Sequence, residues 1–403
     1  MTSGTPAPLI STGHDRRALG VALAARVAQA PPRLLGFGEP MHGEEEFPLV
    51  RNALFEALVD RAGFVTIALE TSAWHGRLVD DHVRGGAGDE DEVMAAGFTH
   101  GWGASPANRA LVRWLRERNR NRPGGARVRF AGFDAPVEMA GAPSPRAALR
   151  VLHDFVRAHV DGSEPVPWEV VDRLLGDDAR WEEPAAAMEP ARSVGAEPRV
   201  HELRGIVDDL RWALVCALPG LRREHSDALD DALLAGRTSA GVLAYHAAMA
   251  RDTDDRWQRL AAIRDAMMAE NLQAIAEHGP VLVFAHNQHL RTGAPEVAFG
   301  TTTLRWEPAG AHLADRLGGD YQVIACAVGE AAHRDIGAPA PDTVEGVLHG
   351  LPEGRHLLSA PELRALGGAM RSPGFNYFPL DDALLGDVDQ VLFFRTITAG
   401  GAG

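Results

Sequence analysis

Four short apolar runs constrain this chain more than any other feature, because each closes on an ionisable residue and each is followed by helical periodicity. They are RLLGFGE (33–39), VTIALE (65–70), VRFAGFD (128–134) and VLVFAHNQH (281–289). Strands that alternate with helices imply βα units and a mostly parallel sheet flanked by helices, an α/β fold. YQVIACAV (321–328) and QVLFFRT (390–396) are expected to complete the sheet. Glu39, Glu70, Asp134 and His286 then fall at carboxyl ends of strands, where open α/β sheets place their ligand crevice. One polar residue there is ordinary loop chemistry. Four ionisable ones suggest a converging site, since burying several charges is costly unless they are paired or used.

Between 146 and 279 the strand signals vanish and helical patterns take over, among them RAALRVLHDFVRAHV, HELRGIVDDLRWALVCAL and WQRLAAIRDAMMAENLQAIAEHG. The expected organisation is an α/β core made of 1–145 and 280–403, carrying the site, with 146–279 inserted as a large helical cap. The Pro- and Ala-rich stretch 182–198 reads as a loop, and the Gly/Pro-rich segment 329–375 as a small subdomain or lid. A further helix begins near Glu45 with Pro48 in its opening turn, a position that tolerates proline. Its apolar stripe of Phe47, Val50, Leu54, Ala57 and Leu58 puts Arg51 at the edge. There the side chain either snorkels along the flank or reaches the crevice; the nearness of Glu39 and His42 favours the crevice.

Composition narrows the chemistry. All 40 of the Lys and Arg residues are arginine, so a lysine Schiff base, a Walker or kinase lysine and a Ser-x-x-Lys pair are excluded. With 55 acidic residues the net charge is −15 and no basic block is present, which argues against nucleic acid or an anionic membrane and for a small-molecule partner. Cys216 and Cys326 lie far apart and are expected as two buried free thiols. The first thirty residues lack a signal-peptide core and no apolar run spans a membrane, so the protein is expected to be soluble and cytoplasmic.

Two strings carry candidate chemistry. In GFGEPMHGEEEF (36–47), Glu39 and His42 are close enough for the carboxylate to hold the imidazole in one tautomer and raise its basicity. In AHNQHL (285–290), His286 and His289 are spaced to chelate a metal, to hydrogen-bond an oxyanion, or to act as acid and base. These residues alone do not divide base from oxyanion donor among the three histidines. No G-x-S-x-G, GxGxxG or GxxxxGK[ST] string occurs, so direct attack by water fits better than a covalent intermediate and no cofactor is expected.

The ordered motifs resemble the erythromycin esterase family, lactone-opening hydrolases that include macrolide-resistance esterases. Its opening pattern is similar to Gly36, Gly38, Glu39, His42, Gly43, Glu46, Phe47 and Arg51; later motifs match ALE at Glu70, DDHVRGG at 80–86, and Gly132-Phe133-Asp134. RDAMMAEN from Arg264 to Asn271, Ala285-His286-Asn287 with His289, and GAHLADRLGGDYQVIA at 310–325 complete the resemblance. It implies a hydrolase, metal-independent or weakly metal-sensitive, in which His42 is the general base on water. Glu39 and Glu70 would orient or tune it, while Arg51, His286 and His289 hold the substrate carbonyl and its oxyanion. Met41, His100, Trp102, Asp134 and Asn287 are expected on the substrate side. Met41 replaces the family's small hydroxyl residue, and FTHGWGASPAN (98–108) departs from its Trp-rich pattern. Both departures bear on the substrate, expected to be macrolide-like or another bulky natural product. Two other readings stand beside hydrolysis: a biosynthetic enzyme using the same groups for cyclisation, dehydration or acyl rearrangement, and a protein binding a metal or small ligand.

Overall fold

In the computed structural model, which describes residues 7–123, 127–137, 141–224, 226–372, 374 and 377–399, all six expected runs form strands of one eight-stranded sheet. In chain order the strands are β1 (Ile10–Thr12), β2 (Leu34–Glu39), β3 (Thr66–Ser72), β4 (Arg129–Asp134), β5 (Val281–His286), β6 (Glu296–Phe299), β7 (Thr302–Arg305), β8 (Tyr321–Glu330), β9 (Arg355–Ser359) and β10 (Gln390–Thr396). The sheet order is β1-β9-β10-β8-β2-β5-β3-β4, and β6 and β7 form a separate hairpin. The six strands from β10 to β4 run parallel. β2 and β5 are buried at every position, as expected of central strands covered on both faces.

Two strands at one end of the sheet escape a reading by periodicity. β9 and β1 add antiparallel beyond β10, so the segment 329–375 contributes a strand to the main sheet and is not a separate subdomain or lid. Strands of three and five residues are too short to show alternation.

Helices cover both faces. On one face, Arg16–Val27, Glu46–Arg61, Ala73–Val83 and Pro106–Asn119 bury residues such as Leu23, Leu54, Val79 and Leu111 against Phe37, Ile67 and Phe284. The first two helices touch closely: a Cβ on Gly20 would sit 2.5 Å from the Ala53 carbonyl. On the other face, Met268 and Leu272 of the Arg256–Ala276 helix join Val283 and Val323. The long segment after β4 is helical, as expected, with its own core of Leu149, Leu152, Trp181, Leu203 and Leu243. Its Pro/Ala-rich stretch forms a chain of short 3-10 turns. The final helix of that segment packs on the sheet. Cys326 is buried, but Cys216 is exposed, because it lies on the outer side of the Pro198–Glu224 helix; the expectation of two buried thiols fails there. Among the described residues no helix is long and apolar enough to cross a membrane.

Candidate active site

The parallel register fixes the first contact. Glu39 on β2 lies opposite His286 on β5, so both strand ends reach the crevice at one level. Beside them β3 carries an irregularity: Leu69 pairs with Gly132 but Ser72 with Asp134, leaving Glu70 and Thr71 on one strand against Phe133 on the other. Such a bulge re-aims the side chains within it, and Glu70 is one of the two. Immediately beyond, Ser72 caps the next helix by accepting from the His75 N–H. His286 does the same for the one-turn helix Asn287–Leu290, its Nδ1 accepting from the Gln288 N–H at 3.2 Å.

Glu70 is the centre of the resulting network. Its Oε2 accepts the His286 backbone N–H at 2.8 Å and its Oε1 accepts Arg264 Nη2 at 3.2 Å, with His289 Nε2 3.5 Å away. Burial pushes the Glu70 carboxyl up, but His289, His42, Arg264 and the His286 N–H outweigh burial and hold it well below the usual range; it is ionised. Arg264 also donates Nε and Nη2 to Asp134 at 2.9 and 2.7 Å. His289 Nδ1 donates to Asp265 Oδ1 at 2.8 Å, and Asp265 further accepts from Trp306 Nε1 and the Ala309 N–H. Burial disfavours charge on His289, yet Asp265 and Glu70 raise it above the ordinary histidine value.

His42 stands at the opening, its side chain 49% exposed, with Nδ1 2.7 Å from Glu39 Oε1. Burial lowers its pKa, while the Glu39 hydrogen bond and the Glu70 and Glu39 charges raise it to about 9. Burial likewise raises the Glu39 carboxyl against the pull of His42. The two groups therefore retain a shared proton at neutral pH and titrate as a pair. No described residue hydrogen-bonds His42 Nε2. Arg334 donates to the His42 carbonyl at 2.7 Å, bracing the loop, and Gly43 turns it with a φ of 77°. His286 differs: burial and the His42 charge pull it down to about 3, so it is neutral and, with Nδ1 occupied, carries its proton on Nε2. Its ring lies 5.2 Å from that of His42 and 4.8 Å from Phe378.

The structure thus brings together Glu39, His42, Glu70, His286 and His289. It does not bring Arg51 to the crevice. That side chain is 0% exposed, donates to Asn52 Oδ1 and Asn108 Oδ1, and lies 4.8 Å over the Phe284 ring. The helix edge faces the apolar layer beneath the strand ends, so Arg51 influences Glu39 through the floor. The fixed cation among the strand-end carboxylates is Arg264. It and Asp265 are site residues that periodicity missed; the signal was an adjacent cation and anion inside the otherwise apolar IRDAMMA of a long helix.

Of the five residues expected on the substrate side, three are turned inward. Met41 is part of the core with Phe37 and Phe47. Asp134 is fully buried between Arg264 and His100. Asn287 donates to the Cys326 carbonyl at 2.9 Å and fills space left by Gly38, where a Cβ would lie 2.2 Å from its Oδ1. His100 and Trp102 do border the opening. His100 holds a left-handed φ of 56° with Nε2 3.0 Å from Asp134, and the Trp102 ring stands edge-on to His42 at 5.7 Å. Among the described residues, no group of three or more His, Cys, Asp or Glu side chains is arranged to hold a metal ion.

A model of the erythromycin esterase family matches residues 59–397. An erythromycin esterase type II of Escherichia coli is 28% identical over 125 residues, which span 31% of this chain and 28% of that protein. A type I enzyme of the same organism is 24% identical over 306 residues, 73% of this chain and 69% of its own. Among solved structures, a Bacillus cereus protein superimposes with a TM-score of 0.68 at 15% identity, covering 98% of this chain and 96% of that one. A mutant of the erythromycin esterase EreC in its open conformation gives 0.66 at 20% identity, covering 95% of each. At these identities the structural likeness establishes the fold. The family match begins past Glu39, His42 and Arg51, which are assigned by geometry, but it includes Glu70, Asp134, Arg264, Asp265, His286 and His289. With the match extending over most of its length, this chain belongs to the erythromycin esterase family.

Proposed function

We propose that this protein hydrolyses an ester or lactone of a bulky natural product of macrolide-like size, with water as the nucleophile and His42 as its general base. The observation that carries the reading is the Glu39–His42 pair: a buried carboxylate fixes Nδ1 at 2.7 Å while Nε2 remains open to the crevice. After the pair loses its shared proton, Nε2 accepts a proton from water as the water oxygen attacks the carbonyl carbon. The tetrahedral intermediate then collapses, expelling the alcohol, which takes that proton back from His42.

Charge on the developing oxyanion needs a fixed donor, and Arg264 replaces Arg51 in that role. Its Nε and Nη2 are engaged with Asp134 and Glu70, and no described residue hydrogen-bonds Nη1, the nitrogen assigned here to the oxyanion. His289, whose charged form Asp265 and Glu70 favour, adds a second donor, while the neutral His286 ring is held by the Pro40 carbonyl. Glu70 binds no substrate atom in this scheme; it holds Arg264, His289 and the β5 strand end in one arrangement. Trp102 and Phe378 give the opening two apolar walls suited to a large, weakly polar substrate. With Met41 in the core, its replacement of a hydroxyl residue leaves the substrate face unchanged.

The test is product mass. A macrocyclic lactone incubated with the enzyme should gain the mass of one water. His42→Ala should lower the rate by about 10²–10⁴-fold with an unchanged circular dichroism spectrum. A product of unaltered mass would place the chemistry in rearrangement, and near wild-type turnover by the variant would remove His42 from the mechanism.

A further inference from the structure

A cavity of about 630 Å³ lies between edge strand β4 and the helices behind it, and its lining includes none of the residues of the strand-end network. Its lining runs from Thr66 and Arg129, the first residues of β3 and β4, along β4 to Gly132, with Glu277 and His278 at the end of the Arg256–Ala276 helix. Its volume is in the range that receives drug-sized ligands.

The cations on its wall are paired with one exception among the described residues. Arg77 meets Asp231, Arg84 meets Asp227, Arg129 meets Asp80, Arg222 meets Glu277, and His278 lies 3.4 Å from Asp230; exposed Asp81 stands at the rim. Arg237 has no carboxylate partner among the described residues. It donates Nε to Asn271 Oδ1 at 3.2 Å, and Asn271 is held in that orientation because its Nδ2 donates to the Phe133 carbonyl at 3.1 Å. The amide therefore holds the guanidinium by Nε, Arg237 lines the cavity, and no described residue hydrogen-bonds either terminal nitrogen. Burial lowers the guanidinium pKa against the raising effect of Glu270, Asp230 and Glu277, the cost expected of an unpaired cation drawn off bulk water.

The rest of the lining selects the ligand. Leu218, Leu233, Leu234 and Ile275 supply an apolar wall, and Leu78, 49% exposed, borders the same space. A guanidinium edge with two parallel donors matches a carboxylate. The nearby charges of Asp230 and Glu277 penalise a dianion about twice as much as a monoanion, which disfavours phosphate. We propose that this cavity binds an organic monocarboxylate with an apolar body, its carboxylate received by the two terminal nitrogens of Arg237 and its chain lying against Leu233 and Leu234.

The test is calorimetric titration of the full-length protein with octanoate, alongside octan-1-ol and inorganic phosphate. The account expects one octanoate site per chain, unchanged by His42→Ala, with no comparable binding of octanol or phosphate. Arg237→Met should weaken octanoate at least tenfold, as should Leu234→Trp, which fills the cavity and keeps the charge; the two variants fail to fold for different reasons if they fail at all. Failure of octanoate to bind at millimolar concentration would overturn the proposal. So would equal affinity in the two folded variants, loss of binding in His42→Ala, or phosphate binding as tightly as octanoate.

Discussion

Glu70 shows how a single residue is used twice, as a strand-end carboxylate and as the anchor of two cations. Removing one member of a buried ion network leaves the others uncompensated, a cost of about 3–5 kcal/mol, so substitutions of Glu70 or Arg264 confound stability with rate. Asp265 separates them better, since Asp265→Asn keeps an oxygen acceptor and most of the packing. Without the negative charge His289 should fall toward its ordinary pKa and be neutral at pH 7. We expect kcat/KM to drop about 10- to 100-fold, with the ¹⁵N shifts of the His289 ring reporting the neutral form; an unchanged rate with a neutral ring would show that the charge on His289 is not used. At this scale the sequence was partly readable. Glu39, His42, Glu70, His286 and His289 announced themselves as polar ends of apolar runs. Arg264 and Asp265 entered only through the RDAMMAEN resemblance and without a role, because a helix residue becomes a site residue only through the packing of its helix on the sheet. Arg51 misled because a stripe edge does not say whether it meets the crevice or the layer beneath.

The strands were legible for a physical reason: covered on both faces, β2 and β5 are continuous apolar runs, and the break in that run is the crevice. The bulge in β3 was invisible, since it depends on pairing between strands and leaves no mark in one strand's pattern. β1 and β9 were missed because strands this short carry no alternation. A close contact between elements at the site is that of Gly38 with Asn287, where an added Cβ has no room. Gly38→Ala should force apart β2 and the turn that carries His286 and His289. We expect a loss of about 1–3 kcal/mol, read from the denaturation midpoint, together with a fall in kcat larger than the stability loss explains at 25 °C. Wild-type turnover in the folded variant would mean that the turn is not held by this contact.

Across the whole molecule, two apolar layers clamp the sheet, a third apolar cluster belongs to the helices of 146–249, and a smaller fourth joins Tyr245 and Met249 to Leu260 and Met267. We propose that this helical part behaves as a cap with its own stability, while the Arg256–Ala276 helix belongs energetically to the sheet that it covers. Hydrogen exchange in rising denaturant should then release 146–249 as a group before β2, β5 and 256–276; simultaneous release would contradict the division. The missing lysine also acquires a meaning at this scale: every fixed cation is a guanidinium, and the one held by strand-end carboxylates is Arg264. Proton transfer falls to histidine, and the account rests on His42 being a base only after the Glu39–His42 pair has lost its shared proton. The raised value near 9 means that the base form is minor at neutral pH and accumulates as pH rises. The most direct measurement is the pH dependence of kcat/KM for lactone hydrolysis by the wild type and Glu39→Gln. The wild-type rate should climb with pH to a plateau above about 9, and the variant should reach a lower plateau at a pH nearer the ordinary histidine value of about 6.5. Profiles with the same midpoint in both proteins would contradict the assignment of His42 as the base that Glu39 holds.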